Sequence, residues 1–161
     1  SEAAIYRHFA NKEELMLALL ESLFAPWREA IARLVAEGLH FSNKLEKLCR
    51  LHLHHLLDER LNPVLFLSEA VNPQHQRLLA NMRANLGFLR QSVAEIVVAG
   101  VKKRQVRNDI EPEAVTAAVL GMLQNAVIKW TLQRRSDALV EEGARNMSEL
   151  ARALQANEVN K

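Results

Sequence analysis

The sequence predicts an all-α chain, on three observations. Leu and Ala dominate, β-branched runs stay short, and the 161 residues hold 5 Gly and 4 Pro, a composition that favours helix. Apolar residues recur at spacings of three and four over long stretches, as they do when one face of a helix is buried. An Asn, an Asn-Pro pair or a lone Pro opens most of these stretches, and these are helix-start residues.

The first long helix begins after Asn11, with Glu14 three residues on as a capping box. Leu15, Met16, Leu19, Leu20, Leu23, Phe24, Trp27, Ile31, Leu34 and Val35 then keep helical spacing straight through Pro26. This reads either as one helix kinked at the proline or as two helices nearly end to end. Asn43 and Glu46 form a second capping box, opening a helix to about Asp58 whose apolar arc holds Leu45, Leu48, Cys49, Leu53 and Leu56. Asn62-Pro63 opens a short apolar helix from Val64 to about Ala70. Asn72-Pro73 opens a long amphipathic helix to about Gly100, and the charged segment 101–111 is the main linker.

Pro112 starts a helix with no charge between Glu113 and Lys129 and with apolar residues on two sides, so it should be covered on both. The last helix runs from about Asp137 to Leu154. The single Cys49 excludes an internal disulfide and suits a reducing cytosol, hence a cytoplasmic location. No uninterrupted apolar run has the length of a membrane helix and no signal peptide is visible, so no membrane partner is expected.

The densest motif is Ser1-Glu2-Ala3-Ala4-Ile5-Tyr6-Arg7-His8-Phe9, then Ala10-Asn11-Lys12-Glu13-Glu14-Leu15. Tyr6, His8 and Lys12 crowd hydrogen-bond donors and positive charge around one corner, which suits a DNA phosphate path. The pattern resembles the end of the DNA-binding domain in TetR/AcrR-type bacterial transcriptional regulators. There it is the recognition helix followed by the first turn of the fourth helix. The resemblance implies that 1–20 is the closing part of a helix-turn-helix domain, and that the helices ahead of it are missing from this chain. It makes 21–161 a helical effector-binding and dimerisation domain. The run Val106–Pro112 leading into Ala118, Gly121 and Trp130 is similar to the family's approach to its eighth helix. The helices 112–133 and 137–154 would then form a four-helix interface with a second copy. The net charge of +2 is uninformative about DNA, since the most basic part of such a domain would lie in the missing helices.

Within this frame Ser1, Glu2 and Ala3 stand where a recognition helix meets base edges. Glu2 either accepts from a cytosine amino group or serves the helix dipole. Tyr6 and Lys12 are expected to contact phosphate, and His8 either does so or caps the turn. His52 falls inside the apolar arc of its helix, either as a polar group in a ligand cavity or as a hydrogen-bonded core histidine. With Met82, Phe88, Met122, Asn125 and Trp130 it could line a mostly apolar effector pocket between three long helices. His52, His54 and His55 cannot converge on one ion by helical phase, and no metal site is expected.

No phosphate loop, nucleophile elbow, paired carboxylates or H-E-x-x-H motif is present. The sequence therefore predicts no catalytic residue and no cofactor. The expected function is that of a homodimeric repressor on a palindromic operator, released by an unidentified small apolar effector. One alternative is a similar DNA-binding protein controlled by a protein partner or by no small molecule. The other is a helical-bundle enzyme or carrier.

Overall fold

Six helices follow one another in the computed structural model, which describes residues 8–58, 63–133 and 137–156. They are α1 (Lys12–Ala36), α2 (Phe41–Asp58), α3 (Pro63–Ala70), α4 (Gln76–Lys102), α5 (Pro112–Leu132) and α6 (Asp137–Ala153). No strand occurs among the described residues.

The capping box at Asn11 forms with one change. Asn11 Oδ1 accepts the Glu14 N–H at 2.9 Å, while Glu14 Oε2 accepts from Ala10, one residue ahead of the cap, at 3.0 Å. Helix α1 is continuous through Pro26, which settles the reading as one helix. The missing proline N–H costs the Ser22 carbonyl its partner. Burial of Trp27, Ile31 and Leu34 just beyond offsets that loss, at about 1.5–3 kcal/mol for each large apolar side chain.

Two predicted helix starts move. Helix α2 opens at Phe41 rather than at Asn43: the His40 carbonyl accepts from Lys44 at 3.0 Å, and the Phe41 N–H donates to Gln105 Oε1 at 2.9 Å. Glu46 is committed to Arg50 and to the Ser148 hydroxyl at 3.1 Å, so the local box loses to partners from distant segments. Helix α4 opens at Gln76. Asn72 instead makes a turn, its Oδ1 accepting from the Gln74 N–H at 3.0 Å and its carbonyl from His75 at 2.9 Å. Asn favours such turns as readily as caps. Helix α3 starts at Pro63 as expected; its predicted cap, Asn62, lies outside the described residues.

The predicted linker begins with a tight C-terminal motif on α4. Gln105 N–H reaches back to the Gly100 carbonyl at 2.9 Å and Arg104 N–H to Val101 at 3.0 Å, the paired bonds of a Schellman end. Arg104 takes the left-handed conformation this requires, at φ 57°. The turn presses Val106 onto Gly100, where an added Cβ would lie 2.8 Å from Val106 Cγ2 and 3.0 Å from Phe41 Cδ2. A side chain at Gly100 would part α4 from α2.

The helices share two apolar clusters. The larger joins Trp27, Ile31 and Leu34 of α1 to Leu45, Leu48 and Leu53 of α2, Val93, Ile96 and Val97 of α4, and facing residues of α5 and α6. The smaller draws on all six helices: Met16 and Leu20, Leu56, Phe66 and Ala70, Leu78, Trp130 and Leu139. Helix α5 is long and apolar enough by composition to cross a membrane. Its buried face, Val115, Val119, Leu123, Ala126 and Trp130, instead packs in this bundle.

Arg104→Gly is expected to stabilise the chain by about 1 kcal/mol, because glycine avoids the left-handed penalty while the Schellman bonds remain. A urea midpoint unchanged or lowered in the variant would contradict this account of the α4 end.

Candidate effector site and the start of the first helix

Phe24 and Trp27 lie one turn apart on α1 and pack edge to face, their centroids 5.2 Å apart. From there both meet α2, Trp27 against His52 at 5.6 Å and Phe24 against His55 at 5.6 Å. Phe88 of α4 closes the group, 5.9 Å from Trp27. The result is a cage of five rings drawn from three helices. Trp27 is 3 % exposed. Its Nε1 and the Nδ1 of His52 are both enclosed, without a hydrogen-bond partner among the described residues. A buried donor left so costs about 1–3 kcal/mol, a feature typical of ligand or water sites. Burial lowers the His52 pKa to about 4, with the neighbouring His55 adding to the effect, so the imidazole is neutral at pH 7.

A second polar assembly sits at the start of α1, beside the segment that resembles a recognition helix. Glu13 Oε1 accepts the N–H of Arg77 at 3.0 Å and of Leu78 at 3.2 Å. A carboxylate of α1 thus caps the N-terminus of α4, where free amides and the helix dipole favour negative charge. Lys12 pairs with Glu69 of α3, and His75 Nδ1 lies 3.1 Å from the Glu69 carbonyl. The first turn of α1 is therefore held by both α3 and α4.

A third feature is a groove of about 340 Å³ along α5 and α6, lined among others by Gly121, Met122, Asn125, Lys129, Glu142 and Gly143. Lys129 Nζ and Glu142 close one side at 2.6 Å. Ala118, Gly121, Asn125, Ile128 and Leu132 are all exposed. Their spacing of three, four, three and four forms a seam along α5 of the kind that packs against another helix.

Of the predicted DNA-contacting residues, Ser1, Glu2, Ala3 and Tyr6 lie outside the described residues. His8 is exposed in the turn ahead of α1. Lys12 keeps 56 % of its side chain exposed while engaging Glu69. The predicted effector residues divide into three groups. His52 and Phe88 join the ring cage. Trp130 and Met82 belong to the smaller core cluster. Met122 and Asn125 line the outer groove with Ala126; Asn125 is exposed there, while Met122 also packs against the larger core cluster. The structure thus does not gather the six around one pocket. Helix α1 intervenes, and its Trp27 and Phe24 were readable from the sequence only as two more members of an apolar stripe. Their pairing at i and i+3 beside Pro26 was the available signal. Among the described residues no three His, Cys, Asp or Glu side chains gather for an ion.

A family model described as the tetracyclin repressor-like C-terminal domain matches residues 38–134. The chain belongs to the TetR/AcrR family of transcriptional regulators. The matched stretch includes His52, Phe88 and the whole of α5. Solved structures share the TetR fold. A transcriptional regulator FadR from Bacillus subtilis, in complex with stearoyl-CoA, is 16 % identical at a TM-score of 0.71, over 94 % of this chain and 80 % of that one. The fatty acid degradation regulator FadR from Bacillus halodurans is 18 % identical at 0.70, over 92 % and 78 %. A TetR/AcrR regulator from Thermobifida fusca is 20 % identical at 0.65, over 100 % and 81 %.

In this TetR-family chain the ring cage should make stability pH-dependent. The folded pKa of His52, about 4, lies below the ordinary value near 6.5, so as pH falls the unfolded chain takes the proton first. The stabilisation is complete above about pH 6.5 and is lost progressively down to about pH 4. Because His52 as a whole residue is only partly buried, the expected loss is about 1–3 kcal/mol. Urea unfolding at pH 7 and pH 4.5 should show a smaller drop for His52→Phe than for the wild type. Equal drops would place the ring in water.

Proposed function

We propose that this chain carries the regulatory body of a homodimeric repressor. It holds a palindromic operator in the cytoplasm and is released from it by a small, mostly apolar effector seated at the ring cage. One observation carries the reading: α1 bears both the cage and the junction. Trp27 lies about 21 Å along the helix from Glu13 at 1.5 Å per residue. Glu13 and Lys12 tie the first turn to α4 and α3, directly after the segment that resembles a recognition helix. A ligand that displaces Trp27 shifts α1 against those anchors and changes the spacing of two DNA-binding heads. It does so only by binding one spacing better than the other. The stearoyl-CoA complex of the Bacillus subtilis regulator supports an effector with a long acyl chain.

The dimer is assigned to helices 112–133 and 137–154, through the exposed seam of α5 and the groove beside it. Ile128 is 55 % exposed, so Ile128→Glu should leave the subunit folded and shift the sedimentation pattern from dimer to monomer at micromolar concentration. A wild-type monomer at that concentration, or a dimeric variant, would remove the seam from the interface. The alternative of control by a protein partner draws on α3 and the turn after it, where Val64, Leu67 and Val71 stand exposed.

The junction is tested in the protein carrying the whole helix-turn-helix. Glu13→Gln should keep the fold yet weaken the effector's release of operator severalfold, since a neutral amide caps α4 poorly. Lys12→Ala should lower operator affinity about equally on all sequences and reduce the salt slope, as loss of a phosphate contact does. Glu69→Gln should leave that slope unchanged. A sequence-selective loss from Lys12→Ala would make Lys12 a base reader instead.

A further inference from the structure

We propose that Trp27 and His52 bind an uncharged oxygen of the effector, a carbonyl or hydroxyl on an apolar chain, and disfavour a free carboxylate. This rests on the reading of the ring cage as the effector's seat and adds the chemistry that the seat selects.

Trp27 Nε1–H can only donate, whereas a neutral histidine offers a donor or an acceptor at Nδ1 according to tautomer. Both atoms are enclosed and without a partner among the described residues. One oxygen between them would satisfy the indole by accepting. A hydroxyl could in addition donate to the imidazole. The surroundings decide the charge. Phe24, Phe88 and His55 supply rings, and burial keeps His52 neutral. Arg28, next in sequence to Trp27, is turned away, its guanidinium bound to Asn85 Oδ1 at 2.8 Å and Glu21 Oε1 at 2.6 Å. A carboxylate entering the cage would lose its hydration without a cation to meet it, and that is costly. A carbonyl loses far less and recovers it through the indole. Phe24 and Phe88 are only partly buried, so they are the rings best placed to swing aside for the apolar chain.

The probes are 2-decanone, decanoate and decane, added to the wild-type chain at pH 7 and followed by the NMR signals of the indole N–H groups. The chain has 2 Trp, and the Trp27 signal is the one lost in Trp27→Phe. The expected result is a downfield shift of that signal with 2-decanone and none with decane. Decanoate should bind at least about tenfold more weakly than the ketone, a difference of about 1.4 kcal/mol. Trp27→Phe and His52→Phe should each weaken 2-decanone severalfold while leaving decane unchanged. Because the shift is read on the wild type, a poorly folded variant does not spoil the test. Decanoate binding as tightly as the ketone, ketone binding without a Trp27 shift, or no binding by the ketone would each overturn the proposal. Operator gels separate it from the regulatory reading. A Trp27 shift with operator affinity unchanged would leave this inference standing and remove effector release. Release by compounds that leave the Trp27 signal unmoved would do the reverse.

Discussion

The Glu13 carboxylate rests on the first free amides of α4, and α1 is thereby fixed at the end where it follows the segment that resembles a recognition helix. At the other end Trp27, Ile31 and Leu34 of the same helix are buried against α2 and α4. A helix anchored at both ends cannot tilt without disturbing one anchor. The polar anchor is the weaker: exposed ion pairs such as Lys12–Glu69 contribute about 0–1 kcal/mol, whereas each large buried side chain contributes about 1.5–3 kcal/mol. A perturbation entering at the core is therefore felt at the junction. That asymmetry is what a regulator requires.

The ring cage is held by ring edges and faces, worth about 0.5–1.5 kcal/mol per pair beyond burial, and two of its enclosed nitrogens have no hydrogen-bond partner among the described residues. Other buried polar groups are matched by local partners. Thr116 returns its hydroxyl to the Pro112 carbonyl at 2.9 Å, and Asn85 joins Asn81 to Arg28. The two cage nitrogens lie where α1, α2 and α4 meet, so a ligand that satisfied them would bind one arrangement of these helices better than another.

Helix α5 carries the opposite economy. Its inner face is continuous core, and its outer face exposes Ala118, Gly121, Ile128 and Leu132 with Asn125 among them. Such a helix is stable in the subunit and still has a surface to cover. Beside it, Gly143 of α6 lets α2 approach so closely that an added Cβ would lie 3.0 Å from Cys49 Sγ. Close packing there holds the outer groove in shape without any contribution from a partner.

The sequence by itself determined the helices and their order, because a period of 3.6 and a proline or asparagine at a helix start are local properties of the chain. The family resemblance was also legible there, in the short motif ending at Leu15 and in the approach to α5. Tertiary structure alone decided where competing local signals ended. Asn43 with Glu46 and Asn72 with Pro73 are both good starts, yet Gln105 and Glu13, distant in sequence, supply the caps actually used. It also decided the candidate site. Met122 and Asn125 could be assigned to a helix but not to a face of the assembly, and nothing in the spacing of α2 shows that Trp27 of α1 will cover His52. Helical phase is written in neighbouring residues. The identity of the helix that covers a given face depends on how all six pack at once.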